Sequence, residues 1–197
     1  MDKRIFIIGR DNVPERLSLK AGQGIFWTLV ALPGVSAELS LEVDIEGEGC
    51  EVDIAGLYLC KDSENLSLNM NVRHNAPGSV SRQVFKGILD GKAKVNFDGL
   101  IYVRKDSQRT KAAQQSKTIL LSDEAVISTR PQLEIYADDV ECSHGAASGF
   151  LNTDELFYMR SRGIPEDQAR RMQMTSFLST VLQRLPQSLQ EEITDCL

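Results

Sequence analysis

An all-β body followed by a short helical tail is the fold class this sequence predicts, and two observations carry the prediction. Apolar and polar residues alternate along most of the chain from Ser36 onward, the period of strands with one buried face. Near Gly149 that alternation stops, and apolar residues begin to recur at helical spacing. The 197 residues, 42% hydrophobic and 25% charged, suffice for one soluble domain with its own core, or one domain with a small appendage.

The chain opens on the apolar run Ile5 to Ile8, held between Arg4 and Gly9. Such runs fall far short of the roughly 20 apolar residues of a spanning helix, so neither a membrane span nor a secretory leader is expected. Gly22-Gln-Gly24-Ile-Phe-Trp27 begins like a dinucleotide fingerprint, but the third glycine is absent and no strand-turn-helix follows, so a plain turn is expected. There is no Walker A sequence, and any ATP site would have to come from another chain.

Alternation then sets in: Leu39, Leu41, Val43 and Ile45 are interleaved with Ser40, Glu42 and Asp44. Val52 and Ile54 continue to Leu57 and Leu59, and the series Leu66, Leu68, Met70, Val72 follows. Val95 with Phe97, Ile101 with Val103, Ile119 with Leu121, and Leu133 with Ile135 extend it. Turn signals such as Glu46-Gly-Glu-Gly49, Asn75-Ala-Pro-Gly78 and Lys105-Asp-Ser107 separate the runs. Strand starts near Leu39, Val52, Leu66 and Val80 are spaced by 13, 14 and 14 residues, a soft internal period. No intervening segment is long enough for a crossover helix, which leaves an antiparallel sandwich or a stacked solenoid; periodicity does not separate them.

In the tail, Asn152-Thr-Asp-Glu155 reads as a capping box that opens a short helix, with Arg162-Gly163 as its stop. Pro165 opens a second helix with an apolar stripe of Met172, Phe177, Leu178, Val181, Leu182 and Leu185, leaving Arg170, Arg171 and Arg184 on a solvated face. Pro186 ends it, and Gln187 to Cys196 make a third helix carrying Leu189 and Ile193. The chain therefore divides into a β core over residues 1–149 and a helical segment over 150–197.

Charge and chemistry narrow the function. With 22 Lys plus Arg against 28 Asp plus Glu, a net charge of −6, the chain offers no basic field for a nucleic acid backbone. Cys50, Cys60, Cys142 and Cys196 form no Cys-x-x-Cys pair and read as thiols in a reducing cytoplasm. The one cluster with chemical content is Asp138-Asp-Val-Glu-Cys-Ser-His-Gly145. If that stretch is extended, Cys142 and His144 project from the same face, a thiolate beside an imidazole, which suits iron, copper or zinc better than magnesium. Two ligands do not make a site, and a buried thiol beside a surface imidazole is the plain alternative. A nucleophilic Cys–His pair is disfavoured, because side chains at i and i+2 on a strand lie too far apart for easy direct proton transfer. Arg160, Arg162, Arg170, Arg171 and Arg184 make the tail locally basic, a solvated face or a docking surface for an acidic partner.

The run Leu133-Glu-Ile-Tyr-Ala-Asp-Asp-Val-Glu-Cys-Ser-His-Gly-Ala-Ala-Ser-Gly149, with Asp154-Glu-Leu-Phe-Tyr-Met-Arg-Ser-Arg-Gly163 after it, closely resembles the C-terminal core of the SufB/SufD family of iron-sulfur cluster assembly proteins. His74-Asn-Ala-Pro77, Ser81-Arg-Gln83, Lys86-Gly87, Phe97-Asp-Gly99, Thr110-Lys-Ala-Ala-Gln114 and Leu120-Leu-Ser122 stand in the family's order, so the resemblance covers the chain from about residue 40 onward. It implies a right-handed parallel β-helix followed by a small helical segment, and Cys142 to Gly145 resemble the SufD form rather than the SufB form of this stretch. By the same resemblance the chain is a non-catalytic scaffold subunit that pairs through its β-helix with a SufB-like paralogue, or with itself in isolation. It docks a SufC-like ATPase and binds neither nucleic acid nor membrane. No cofactor is stably bound by this chain alone; a transient iron-sulfur cluster is shared with the partner subunit, with His144 and Cys142 as the metal-binding candidates. Partner contacts are expected from Phe157, Arg162, Arg171, Met172, Phe177 and Leu178. Family members carry a substantial region ahead of the matched part, so a shortened member or part of one is expected, and Ala146-Ala-Ser-Gly149 replaces the usual Ala-Thr-Val-Gly. The alternatives are a β-helical enzyme acting on polysaccharides, for which only Asp138, Asp139 and Glu141 cluster, and a purely structural solenoid.

Overall fold

A computed structural model describes all residues, 1–197. Eleven strands alternate between two parallel sheets. Sheet A holds β1 (Asp2–Ile7), β3 (Gly24–Ala31), β5 (Glu51–Cys60), β7 (Val80–Leu89), β9 (Thr110–Leu120) and β11 (Val140–Gly149), in that order. Sheet B holds β2 (Arg16–Leu19), β4 (Ala37–Ile45), β6 (Asn65–His74), β8 (Lys94–Val103) and β10 (Val126–Ile135). Every pairing is parallel, so the alternation belongs to a solenoid and not to a sandwich of hairpins.

Each rung contributes one strand to each sheet. Glu51 pairs with Val80, Val80 with Lys111 and Lys111 with Glu141, steps of 29, 31 and 30 residues. The period of 13 to 14 residues visible in the sequence is therefore half a rung, the distance from one sheet to the other. Inward-facing residues of both sheets fill the space between them: Leu41, Val43, Val52, Ile54, Leu66, Leu68, Phe85 and Phe97 are all buried in one cluster, with the Phe85 and Phe97 rings 4.8 Å apart. A second cluster lies on the outer face of sheet A, where Leu57, Leu59 and Ile88 meet the tail. This explains a phase change in β5: Val52 and Ile54 point inward, whereas Leu57 and Leu59 point outward, so the strand is buried on both faces.

The tail forms α1 (Thr153–Ser161), α2 (Glu166–Leu182) and α3 (Gln187–Asp195). Asn152 caps α1 by accepting from the N–H groups of Asp154 and Glu155. The box is only half made, because the Glu155 carboxylate accepts from Gln173 Nε2 (3.1 Å) and ties α1 to α2. Two expectations for α2 need correction. Met172 is 53% exposed, and Met174 takes the buried place with Leu178, Val181, Leu182 and Leu185. At about 100° per residue Met174 lies on the Leu178 face, and Met172, two positions away, lies opposite it. Arg184 is not solvated either: its guanidinium bonds Asp53 on β5 (2.5 Å), both side chains under one-fifth exposed, and stacks 4.5 Å from the Phe26 ring centroid.

Candidate functional site

β11 is the last strand of sheet A, and with β10 it makes the terminal rung. In the register, Cys142 stands over Ala112 and His144 over Gln114. Ala112 and Gln114 are inward-facing and buried, so Cys142 and His144 occupy the same inward side, one rung further out. The extended geometry thus brings both onto one face. No further rung lies above them, because α1 to α3 fold back along the outer face of sheet A and leave this end open; Cys142 is half-buried and His144 exposed. Burial pushes the Cys142 thiol above its ordinary range, with the Ala112 backbone partly offsetting it. Metal binding by this sulfur therefore requires proton loss that the surroundings do not favour.

Nowhere in the chain do three or more His, Cys, Asp or Glu side chains converge closely enough to hold a metal ion. Cys142 and His144 by themselves are too few to close a metal site, and any metal held here would need further groups. The neighbouring carboxylates do not join them. Glu141 points to the outer face and pairs with Lys111 (2.8 Å). Asp138 and Asp139 lie in the turn before β11, where the Asp139 N–H donates to Gln108 Oε1 (2.8 Å) and its carbonyl accepts from the Arg109 N–H (2.6 Å). The convergent carboxylates of a polysaccharide-cleaving groove are not formed by these three residues.

His74, the other histidine, is a core residue. Its Nε2 shares a hydrogen bond with Ser81 Oγ (2.8 Å), and burial pushes its pKa down to about 4. The functionally suggestive residues that sequence reasoning did not single out are Gln83 and Gln114, buried side by side on the inward face of β7 and β9. The available signal was a long amide at an inward strand position, among neighbours that are mostly small: Ser81 on β7, and Thr110, Ala112, Ser116 and Thr118 on β9.

The residues expected to meet a partner divide. Phe157, 74% exposed, and Met172 stand free at the surface, as do Arg162, stacked 5.3 Å from the Tyr158 ring centroid, and Arg171. Phe177 is half-buried beneath the Lys86 ammonium, 4.3 Å from its ring centroid. Leu178 is fully buried against sheet A and must be removed from the contact set. A cleft of about 920 Å³ opens between the ends of β9 and β11 and helices α1 and α2, lined by Phe150, Tyr158, Met172, Phe177 and Lys117.

Fold and site together define a parallel β-solenoid with a docked helical tail and a thiol beside an imidazole at an open end. Residues 13–177 match the family described as SUF system FeS cluster assembly, SufBD core domain, and the chain belongs to that family. It is 34% identical over 158 residues to the chloroplastic protein ABCI7 of Arabidopsis thaliana, covering 80% of this chain and 33% of that protein. It is 33% identical over 154 residues to the iron-sulfur cluster assembly protein SufD of Escherichia coli, covering 78% and 36%. Against SufD of Plasmodium falciparum it is 32% identical over 200 residues, covering 92% and 14%. The chain spans about a third of the length of the first two of these relatives. No helix is long and apolar enough to cross a membrane.

Proposed function

We propose that this chain is a non-catalytic scaffold subunit of a SUF-type iron-sulfur assembly complex. Its terminal rung meets the solenoid of a SufB-like paralogue, or of a second copy in isolation, and its tail docks a SufC-like ATPase. The observation that carries this reading is the placement of Cys142 and His144 on the inward side of the last strand, at an uncovered solenoid end, in a chain of the SufBD family. A nascent cluster is the cargo there, held by these donors and by groups of the partner. The exposed apolar and cationic surface of Phe157, Met172, Arg162 and Arg171 supports docking on the tail. Four unpaired cysteines support a reducing compartment, the cytoplasm.

The test is a reconstituted complex with the cognate paralogue and ATPase, assayed anaerobically for iron and sulfide. His144→Ala should leave subunit recovery intact and lower cluster content. Cluster content equal to the parent's, at equal protein recovery, would show that His144 is a plain surface residue.

A further inference from the structure

The solenoid interior, apolar in its early rungs, turns polar in β7 and β9, where Ser81, Thr110, Ser116 and Thr118 are buried, and one column of sheet A carries the two longest of these polar side chains. Ile54, Gln83, Gln114 and His144 stand in register on β5, β7, β9 and β11. The first three are buried, each glutamine 1% exposed, and the fourth is the exposed imidazole of the terminal rung. Gln114 donates Nε2–H to Gln83 Oε1 (2.9 Å), which commits its amide to one orientation. Its own Oε1 then has no partner, and neither does Gln83 Nε2. Space for this arrangement is made by Gly99 on β8, where a side-chain carbon would overlap the Gln114 amide. Buried amide atoms without partners are uncommon and costly, and an apolar side chain of similar length would remove the cost. Packing alone gives no reason for this column.

Its position gives one. Adjacent strands lie about 4.8 Å apart, so a side chain on the inward side of β11 is within reach of the amide one rung below. The one histidine ring hydrogen bond in the chain belongs to His74, which leaves the His144 ring free to turn. We infer that Gln114 is a positioning residue for His144: the Gln114 Oε1 accepts one ring N–H, fixing the tautomer and leaving the lone pair of the other ring nitrogen for a metal. Gln83 in turn holds the Gln114 amide with its oxygen available. This is the arrangement by which outer hydrogen-bond partners orient ligating histidines. The inference rests on the reading of His144 as a cluster ligand given above.

Because the chain has only two histidines, the ring ¹⁵N–¹H correlation spectrum of the full chain contains two ring systems, and His144→Ala assigns them. The parent is expected to show His144 as one neutral tautomer with a ring N–H protected from solvent exchange. In Gln114→Leu both tautomers should be populated and the protected N–H lost, while Ser116→Ala, which removes a different unpartnered buried hydroxyl of β9, should leave the His144 signals unchanged. Gln83→Leu, which frees the Gln114 amide to turn, should scramble the tautomer as well and serves if Gln114→Leu does not fold. A His144 spectrum identical in the parent and in whichever glutamine variant folds overturns the inference, as does a parent in which the ring N–H is unprotected. Cluster content separates the two readings: a scrambled tautomer with an undiminished cluster sustains the contact and sinks the ligand role of His144.

Discussion

The interior rungs and the terminal rung are built from the same inward pattern but live in different surroundings. Val72, Ile101 and Leu133 form one column of sheet B, and His74, Val103 and Ile135 form the next. The first two members of each column are buried to within 1% of full burial, whereas Leu133 is half-buried and Ile135 is 38% exposed. Residue type does not account for the difference; the presence of a rung above does. A solenoid strand is buried by its neighbours in the stack as well as by the opposite sheet, so the last rung presents apolar side chains and unpaired strand edges together. At this end lie Cys142 and His144, so the open edge and this thiol–imidazole pair are one feature of the molecule. On the outer face of sheet A the same problem is solved within the chain, by laying α2 and α3 over Leu57, Leu59 and Ile88.

The contrast can be broken or sharpened by experiment. Phe97→Ala, in the interior, should lower stability by about 3–5 kcal/mol, whereas Leu133→Ala, in the terminal rung, should cost only about 1 kcal/mol. Urea unfolding midpoints decide, and equal losses would mean that the terminal rung is packed as tightly as the rest. Acid should act on the interior through His74. Its folded pKa of about 4 lies below the ordinary 6.5, so the unfolded chain binds the extra proton between these values and stability falls as pH drops through that window. The full effect is on the order of 3 kcal/mol, and it should vanish in a folded His74→Gln variant compared with the parent at pH 7.5 and pH 4.5.

Smaller effects are expected where the tail meets sheet A. Arg184→Met leaves the Asp53 carboxylate without its partner in a mostly buried place and should cost about 1–2 kcal/mol by thermal or urea unfolding. Removing residues 150–197 altogether would uncover Leu57, Leu59 and Ile88, so point substitutions are the proper probe of docking. Met172→Ser should change stability by no more than about 0.5 kcal/mol, because the side chain is exposed. The same change should weaken capture of the cognate ATPase, and undiminished capture would move the docking surface elsewhere.

Much of this was legible in the chain. The strands β4, β5, β6 and β8, the caps at Asn152 and Pro165 and the shared face of Cys142 and His144 are local properties, set by residue order and the period of the backbone, whereas β9, with Thr110, Ala112, Gln114 and Ser116 inward, carries no apolar alternation to show it. The misplacement of Met172 was avoidable, since its angular position already opposes Leu178. Arg184 was not avoidable: a charged residue on a helix reads as solvated until the strand carrying Asp53 is known to lie beneath it. Leu57 and Leu59 likewise showed an apolar signal without showing which face they served, because one strand does not reveal what covers its far side.

By itself, then, the sequence determined the all-β body and helical tail, the junction near Gly149, the half-rung period and the shared face of Cys142 and His144, all of which depend on neighbours a few residues apart. Tertiary structure decided that the strands stack in parallel with about 30 residues per rung, and that Gln83 and Gln114 form a buried column ending under His144. It also decided that the end carrying Cys142 and His144 is open while the outer face of sheet A is closed. The physical reason is that burial in a solenoid is conferred by a residue's counterpart one rung away. A column of such counterparts exists only once the register between distant strands is fixed.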